Sequence, residues 1–271
     1  MPKPGPPRPA QQWFQDRPSP YPWEQDALDH VRRLMPSAEP YRAWATFSFT
    51  AQSGRINECD LLIAVPAGLY LVEIKSHPGR LENNGSTWNF RGSDRTRTIN
   101  NPLHFNDAKS KDLKSRLLWA ARKLGIPERS VPRVEPAIFL SAPDLESHLD
   151  DVQRVKVYGR DDRPTGLKRV WQDFLGLPPD RPDRRITPDF SRDTLPHLLK
   201  AIGVQQSTAH LRFGDAWKLQ PHPLDRGQSW EDRLATRDDG LVQEEGRVRI
   251  YLVGLYGHRG GEEVDRSRGP P

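Results

Sequence analysis

The chain has 271 residues, 35% of them hydrophobic, with 27 prolines, one cysteine and a formal charge of +5. Mean hydropathy is −0.79, and no stretch approaches the roughly 18 uninterrupted apolar residues of a membrane-spanning helix. These figures exclude a helical membrane span, a disulfide framework and a thiolate zinc site, leaving Cys59 as a reduced core residue. They predict a soluble cytoplasmic protein with no membrane partner, one domain of ordinary size, and some tail or linker. The charge is compatible with a nucleic-acid partner without requiring one.

Residues 1–22, rich in proline, read as a disordered lead-in. A helix is predicted over 23–35, where Ala27, Leu28, Val31, Leu34 and Met35 recur at helical spacing. Glu24 sits at its start, either as a first-turn acid favoured by the helix dipole or as a carboxylate aimed along the buried stripe. Residues 41–50 alternate as a strand. Strands over 60–65 and 69–75 then flank a Pro66-Ala67-Gly68 turn as a β-hairpin. Alternation puts Leu69, Leu71, Glu73 and Lys75 on one face of the second strand.

A loop and a short strand at 88–90 follow, then a polar loop over 91–101. A helix is predicted from about 103 to 124, with Leu113, Leu117, Ala120, Ala121 and Leu124 as its apolar stripe. It is basic: Lys109, Lys111, Lys114, Arg116, Arg122 and Lys123 face only Asp107 and Asp112. Such a run is either the solvated face of an amphipathic helix or a contact for a phosphate backbone. Strands at 134–141 and 155–158 and a helix over 165–175 complete an α/β domain with a central mixed sheet, closing near 177. The boundaries expected are 23–177 for this domain, 178–190 for a linker and 191–256 for a helix and the start of a second region. Residues 257–271 read as a disordered tail.

The chemistry concentrates at the hairpin. Charges on an otherwise apolar strand are costly unless they are paired, bound to metal or lining a cleft. Asp60 and Glu73 are hard oxygen donors suited to Mg²⁺ or Mn²⁺, with the Ile74 carbonyl beside them. Lys75 stands where it can orient or deprotonate a water, or neutralise charge building on a phosphate. Glu24 is the natural third carboxylate, and Glu58, expected just outside the strand, is its substitute. Arg80 and His77 follow the lysine and are placed either to touch phosphate or to sit at the surface. The bland alternative is a Glu-Lys pair decorating an edge strand. The order of Asp60, apolar strand and preceding helix favours a metal site.

These residues resemble the NERD, or nuclease-related, domain of the PD-(D/E)xK nuclease superfamily. The resemblance is carried by Asp60-Leu61-Leu62-Ile63, by Gly68 through Lys75, by Gly79-Arg80-Leu81 and by Asn101-Pro102. It implies a restriction-endonuclease-like core: a central mixed sheet flanked by helices. It also implies Asp60, Glu73 and Glu24 as metal ligands, and Lys75 as the catalytic lysine. DNA is the expected substrate; the charge pattern, rather than the resemblance, offers Arg80 and the helix residues Lys109, Lys111 and Lys114 as its contacts, and a homodimer is compatible with the superfamily. That family often has a glutamine in the helix after Asn-Pro; here His104, Asn106 and Lys109 occupy that neighbourhood.

A second resemblance covers Trp217-Lys218-Leu219, Trp230 through Ala235 and Arg247 through Leu252. These resemble the entry to the kinase domain of PglW-type proteins of bacterial phage-growth-limitation and BREX defence. Other components of such a system are then the implied partners. None of the glycine-rich loop, Ala-x-Lys, His-Arg-Asp or Asp-Phe-Gly motifs of a kinase is found, so the sequence reads as the N-terminal portion of a longer protein. Two functions follow: a metal-dependent DNA endonuclease, or a nucleic-acid-binding or docking module for a downstream kinase that does not cleave.

Overall fold

A computed structural model describes residues 12–93 and 95–206, and in the C-terminal part 212–213, 217–220, 222–227, 230–238 and 243–251. The chain divides into two compact units, residues 1–207 and 208–271.

In the first unit, β1 (Trp13–Phe14) precedes helix α1 (Pro22–Leu34). Pro22 opens that helix, where its missing N–H costs nothing, and Met35 leaves it in extended backbone ahead of Pro36. β2 (Arg42–Thr50), β3 (Ile56–Val65) and β4 (Gly68–Lys75) form an antiparallel meander. Next come β5 (Gly79–Asn84), β6 (Thr87–Arg91) and β7 (Thr96–Asn100), then helix α2 (Pro102–Lys123). Asn101 caps α2, its side chain accepting from the Leu103 N–H.

The chain re-enters the main sheet at β8 (Val134–Leu140), which lies parallel to β4. β9 (Leu145–Ser147), β10 (Val157–Gly159), β11 (Lys168–Arg169), helix α3 (Leu195–Ala201) and β12 (Gln205–Gln206) complete the unit. The main sheet runs β1-β2-β3-β4-β8-β10-β11, with β12 on β2. It is mixed, and its central strands are almost continuously apolar because both faces are covered. On one face Leu62, Leu69 and Leu71 meet Leu113 and Leu117 of α2 and Leu195 and Leu198 around α3. On the other, Leu61, Ile63 and Val72 meet Ala27, Leu28 and Val31 of α1. A second sheet, β7-β6-β5-β9, packs around Trp88, Phe90 and Leu81.

Several expectations are corrected. The supposed loop 91–101 contains β7, whose polar residues pair with β6 because one face of this small sheet is open to solvent. Residues 165–175 are not one helix. Gly166 turns at φ +75°, and a Cβ there would meet the Ser147 carbonyl at 2.6 Å. β11 then pairs with β10, and only Trp171–Leu175 coils, as a π-helical turn whose Trp171 and Gln172 N–H groups donate to Asp161. Leu124, expected in the α2 stripe, is exposed. The compact unit runs beyond 177, because Ile186, Phe190 and Leu199 bury themselves on the α2 face. Of the lead-in, residues 1–11 lie outside the described residues, whereas Trp13 and Phe14 form β1 against β2. The tail 257–271 also lies outside them.

In the second unit β13 (Arg212–Phe213), β14 (Trp217–Leu219), β15 (Asp225–Arg226), β16 (Trp230–Asp238) and β17 (Gln243–Tyr251) pair antiparallel. Asp232, buried on β16, is held by Arg247 and Arg249 of β17.

α2 is fixed to the main sheet by a polar contact in an apolar layer. Buried Asn106 donates from its amide to the Leu71 and Ala137 carbonyls, both at 2.9 Å, bridging β4 and β8. Asn106→Ala leaves both carbonyls without that donor, so urea unfolding is expected to show a loss on the order of 2–4 kcal/mol; an unchanged midpoint contradicts the bridge.

Candidate active site

β3 and β4 carry two of the acids, and Glu73 shares the α2 face with Leu69 and Leu71. Leu61 pairs with Val72, so Asp60 and Glu73 come next on their strands, at the point where the ladder ends. The ladder opens there because the Asp60 carboxylate accepts the Ile74 N–H at 2.7 Å. Glu73, whose side chain is 14% exposed, takes the Lys75 ammonium on one oxygen at 2.6 Å and the Lys109 ammonium on the other at 2.8 Å. Glu24 arrives from α1 on the opposite layer, in the helix's first turn.

Electrostatics tie these side chains into one site. Burial, then the negative charges of Glu73 and Glu24, push Asp60 well above the usual carboxylate range; Lys75 and Lys109 only partly offset this. Glu24 is also raised, by burial first, against a hydrogen bond from Ser19 and the charge of Lys75, with Glu73 adding to the rise. Burial alone would raise Glu73 too, but the two lysines outweigh it and hold its carboxyl below the ordinary value. Lys109 is raised: burial opposes its charge, and Glu73 and Asp60 more than restore it. Three acids and two lysines therefore share one field. Among the described residues, no three acid, histidine or cysteine side chains already stand at metal-ligand spacing.

The other candidates are distributed differently. Glu58, expected outside the strand, is within β3. Arg80 pairs with Glu82 at 2.7 Å on β5. Lys111 pairs with Asp107 one turn away on the exposed side of α2. Lys114 donates to the Val131 carbonyl at 2.6 Å. His77 packs its ring edge-on against Phe90, with centroids 4.9 Å apart. Cys59 is buried, and burial pushes its thiol up, as in a reduced core cysteine.

The contact of Lys109 with Glu73 is not foreseen from charge alone. It is legible in helical spacing, since Lys109 lies three residues after buried Asn106 and four before buried Leu113, on the stripe that meets the sheet. Ser19 beside Glu24 has no sequence signal, because that contact forms between the lead-in and the helix.

Residues 19–141, which hold the central strands of this mixed sheet and its acids and lysines, match the family named NERD, nuclease-related domain, and the chain carries a domain of that family. Over 241 residues it is 32% identical to the probable kinase PglW of Streptomyces coelicolor, a match covering 89% of this chain. It spans only 14% of that relative's length. No solved structure matches the chain. A nuclease-related domain suggests dependence on a divalent metal. No helix among the described residues is long and apolar enough to cross a membrane.

Burial and the neighbouring acids disfavour the charged form of Asp60, so ionising it costs stability. With its folded pKa raised, that cost is absent below about pH 4 and grows as pH rises towards the folded value. Asp60→Asn keeps an oxygen for the Ile74 N–H and removes the charge. Thermal scans at pH 8 are expected to show Tm raised by ~2–4 °C, a relief on the order of 1 kcal/mol. The gap should close as the pH approaches 4, and a lower Tm for the variant at pH 8 contradicts it.

Proposed function

We propose that this domain is a Mg²⁺- or Mn²⁺-dependent phosphodiesterase that cleaves DNA, within a cytoplasmic bacterial anti-phage protein whose remaining length includes a kinase. The observation carrying this is that Glu24, Asp60 and Glu73 share one electrostatic field with Lys75 where the β3–β4 ladder ends. The donor set fits a hard divalent cation: its carboxylates repel one another, and such an ion relieves that repulsion. Asp60 and Glu73 would hold the ion, with Glu24 as the third oxygen donor. When bound, it supplies Lewis acidity to the phosphoryl oxygen and lowers the pKa of a water.

The chain's own residues supply the rest. Lys75, two positions past Glu73, is placed to orient the attacking water and to balance negative charge growing on the phosphate. Its hold on a Glu73 oxygen fixes the ammonium before substrate arrives. Lys109 anchors the other oxygen, so Glu73 is aligned by two elements at once.

A second function is favoured by one observation. Both Glu73 oxygens are already occupied by lysines, as in a site where cations from the chain itself replace a metal. The domain is then a non-cleaving DNA-binding or docking module for the kinase.

Nicking of supercoiled plasmid separates the two. In the nuclease, Lys75→Ala and Asp60→Ala each lower the nicking rate by about 10²-fold or more with folding retained, and EDTA abolishes it. Binding of DNA with no nicking in either metal assigns the module instead.

A further inference from the structure

A second group of cations stands beside the candidate site, on the small sheet. β5 leaves β4 through Ser76, His77 and Pro78 alone, so this sheet is tethered directly to Lys75. In its register Phe90 is opposite Leu81 on one side and Arg97 on the other, and the three residues share one face. That face meets His77 through Phe90. Arg95 lies in the turn just before β7, its carbonyl accepting the Gly92 N–H at 3.0 Å.

His77 registers the charge around it. Burial first, then the positive charges of Arg97, Lys75 and Arg95, push its pKa down to about 4. The imidazole is therefore neutral at physiological pH, and the excess charge here belongs to the arginines and Lys75. On the other face Arg80 and Arg91 share Glu82, at 2.7 and 3.1 Å. Arg95 and Arg97 are exposed and have no carboxylate partner among the described residues, from which Asp94 is excluded.

The cations of α2 are committed elsewhere: Arg116 and Lys123 lie over the Trp119 ring and Arg122 pairs with Glu128. Lys109 holds Glu73, Lys111 is paired with Asp107, and Lys114 is bonded to a carbonyl. A phosphate approaching Lys75 thus meets uncommitted guanidinium groups on the small sheet rather than on the helix. Guanidinium forks suit phosphate oxygens.

We propose that Arg95 and Arg97 bind the phosphate backbone of duplex DNA, making the β6–β7 edge, and not the outer side of α2, the surface that guides a strand to Lys75. The assignment rests on the DNA-acting function proposed above.

Anisotropy of a fluorescent DNA duplex in EDTA tests it with cleavage suppressed. The 271-residue chain is compared with the double variant Arg95→Ala/Arg97→Ala and with Lys111→Ala. Over about 50 to 200 mM salt the double variant is expected to bind ~10-fold or more weakly, with a slope of log K against log salt shallower by roughly 1–2. Lys111→Ala should change neither, and unchanged Tm values show that all three fold. A double variant that binds within about twofold of the parent, with the same salt slope, overturns this surface alone. A parent chain that binds no duplex even at low salt overturns the DNA-acting function and this surface with it.

Discussion

The arrangement depends on one carboxylate held between two ammonium groups. Glu73 sits on an interior strand of an eight-stranded sheet, where an unpaired charge would be untenable. Lys75, from the same strand, and Lys109, from the helix packed above it, each take one of its oxygens. Without them Glu73 would be driven towards the neutral form, as Asp60 and Glu24 are. With them it keeps its charge, and the site keeps a centre around which the other two acids gather.

That contact requires α2 to lie in one register over the sheet. Leu113 and Leu117 supply the apolar area, but apolar contacts alone tolerate sliding. The Asn106 bridge does not, since its amide reaches two specified carbonyls on neighbouring strands. Lys109 follows one turn later, so the bond that fixes the helix also sets its position. On the opposite layer, α1 is tied in by Arg160, buried at the end of β10. Its guanidinium reaches Asp26 at 2.7 Å, Asp162 at 2.8 Å, and His30 and the Ser141 carbonyl at 3.3 Å. The Ser141 N–H in turn donates to the Lys75 carbonyl at 2.9 Å. One polar network therefore joins the helix bearing Glu24 to the strand bearing Lys75.

The site opposes the fold that holds it. Three acids in one partly buried cluster raise each other's energy, and the Asp60 bond to the Ile74 N–H ends the β3–β4 ladder early. Such local conflict persists because the surrounding packing enforces it. The same logic separates the two positive regions. On α2 the lysines are consumed by internal partners, whereas near His77 the arginines remain exposed.

Much of this was legible in the chain. Apolar periodicity places α1, α2, β2, β4 and β8 to within a residue or two, although β3 starts four residues earlier than expected, and alternation puts Glu73 and Lys75 on one face, because those signals arise from neighbours in sequence. The Asp60, Glu73 and Lys75 pattern carries the family resemblance. Other features were decided only by tertiary contact. β7 and β11 are strands because a partner strand lies beside polar residues that have no strand signature of their own. The segment around Ile186 and Phe190 reads as linker by its prolines, yet it covers an apolar face made by distant residues. Whether a lysine on α2 faces solvent, a carbonyl or Glu73 depends on the angle between helix and sheet. Composition cannot encode that angle, because it is set by side chains 30 or more residues apart, such as Asn106 against Leu71 and Ala137.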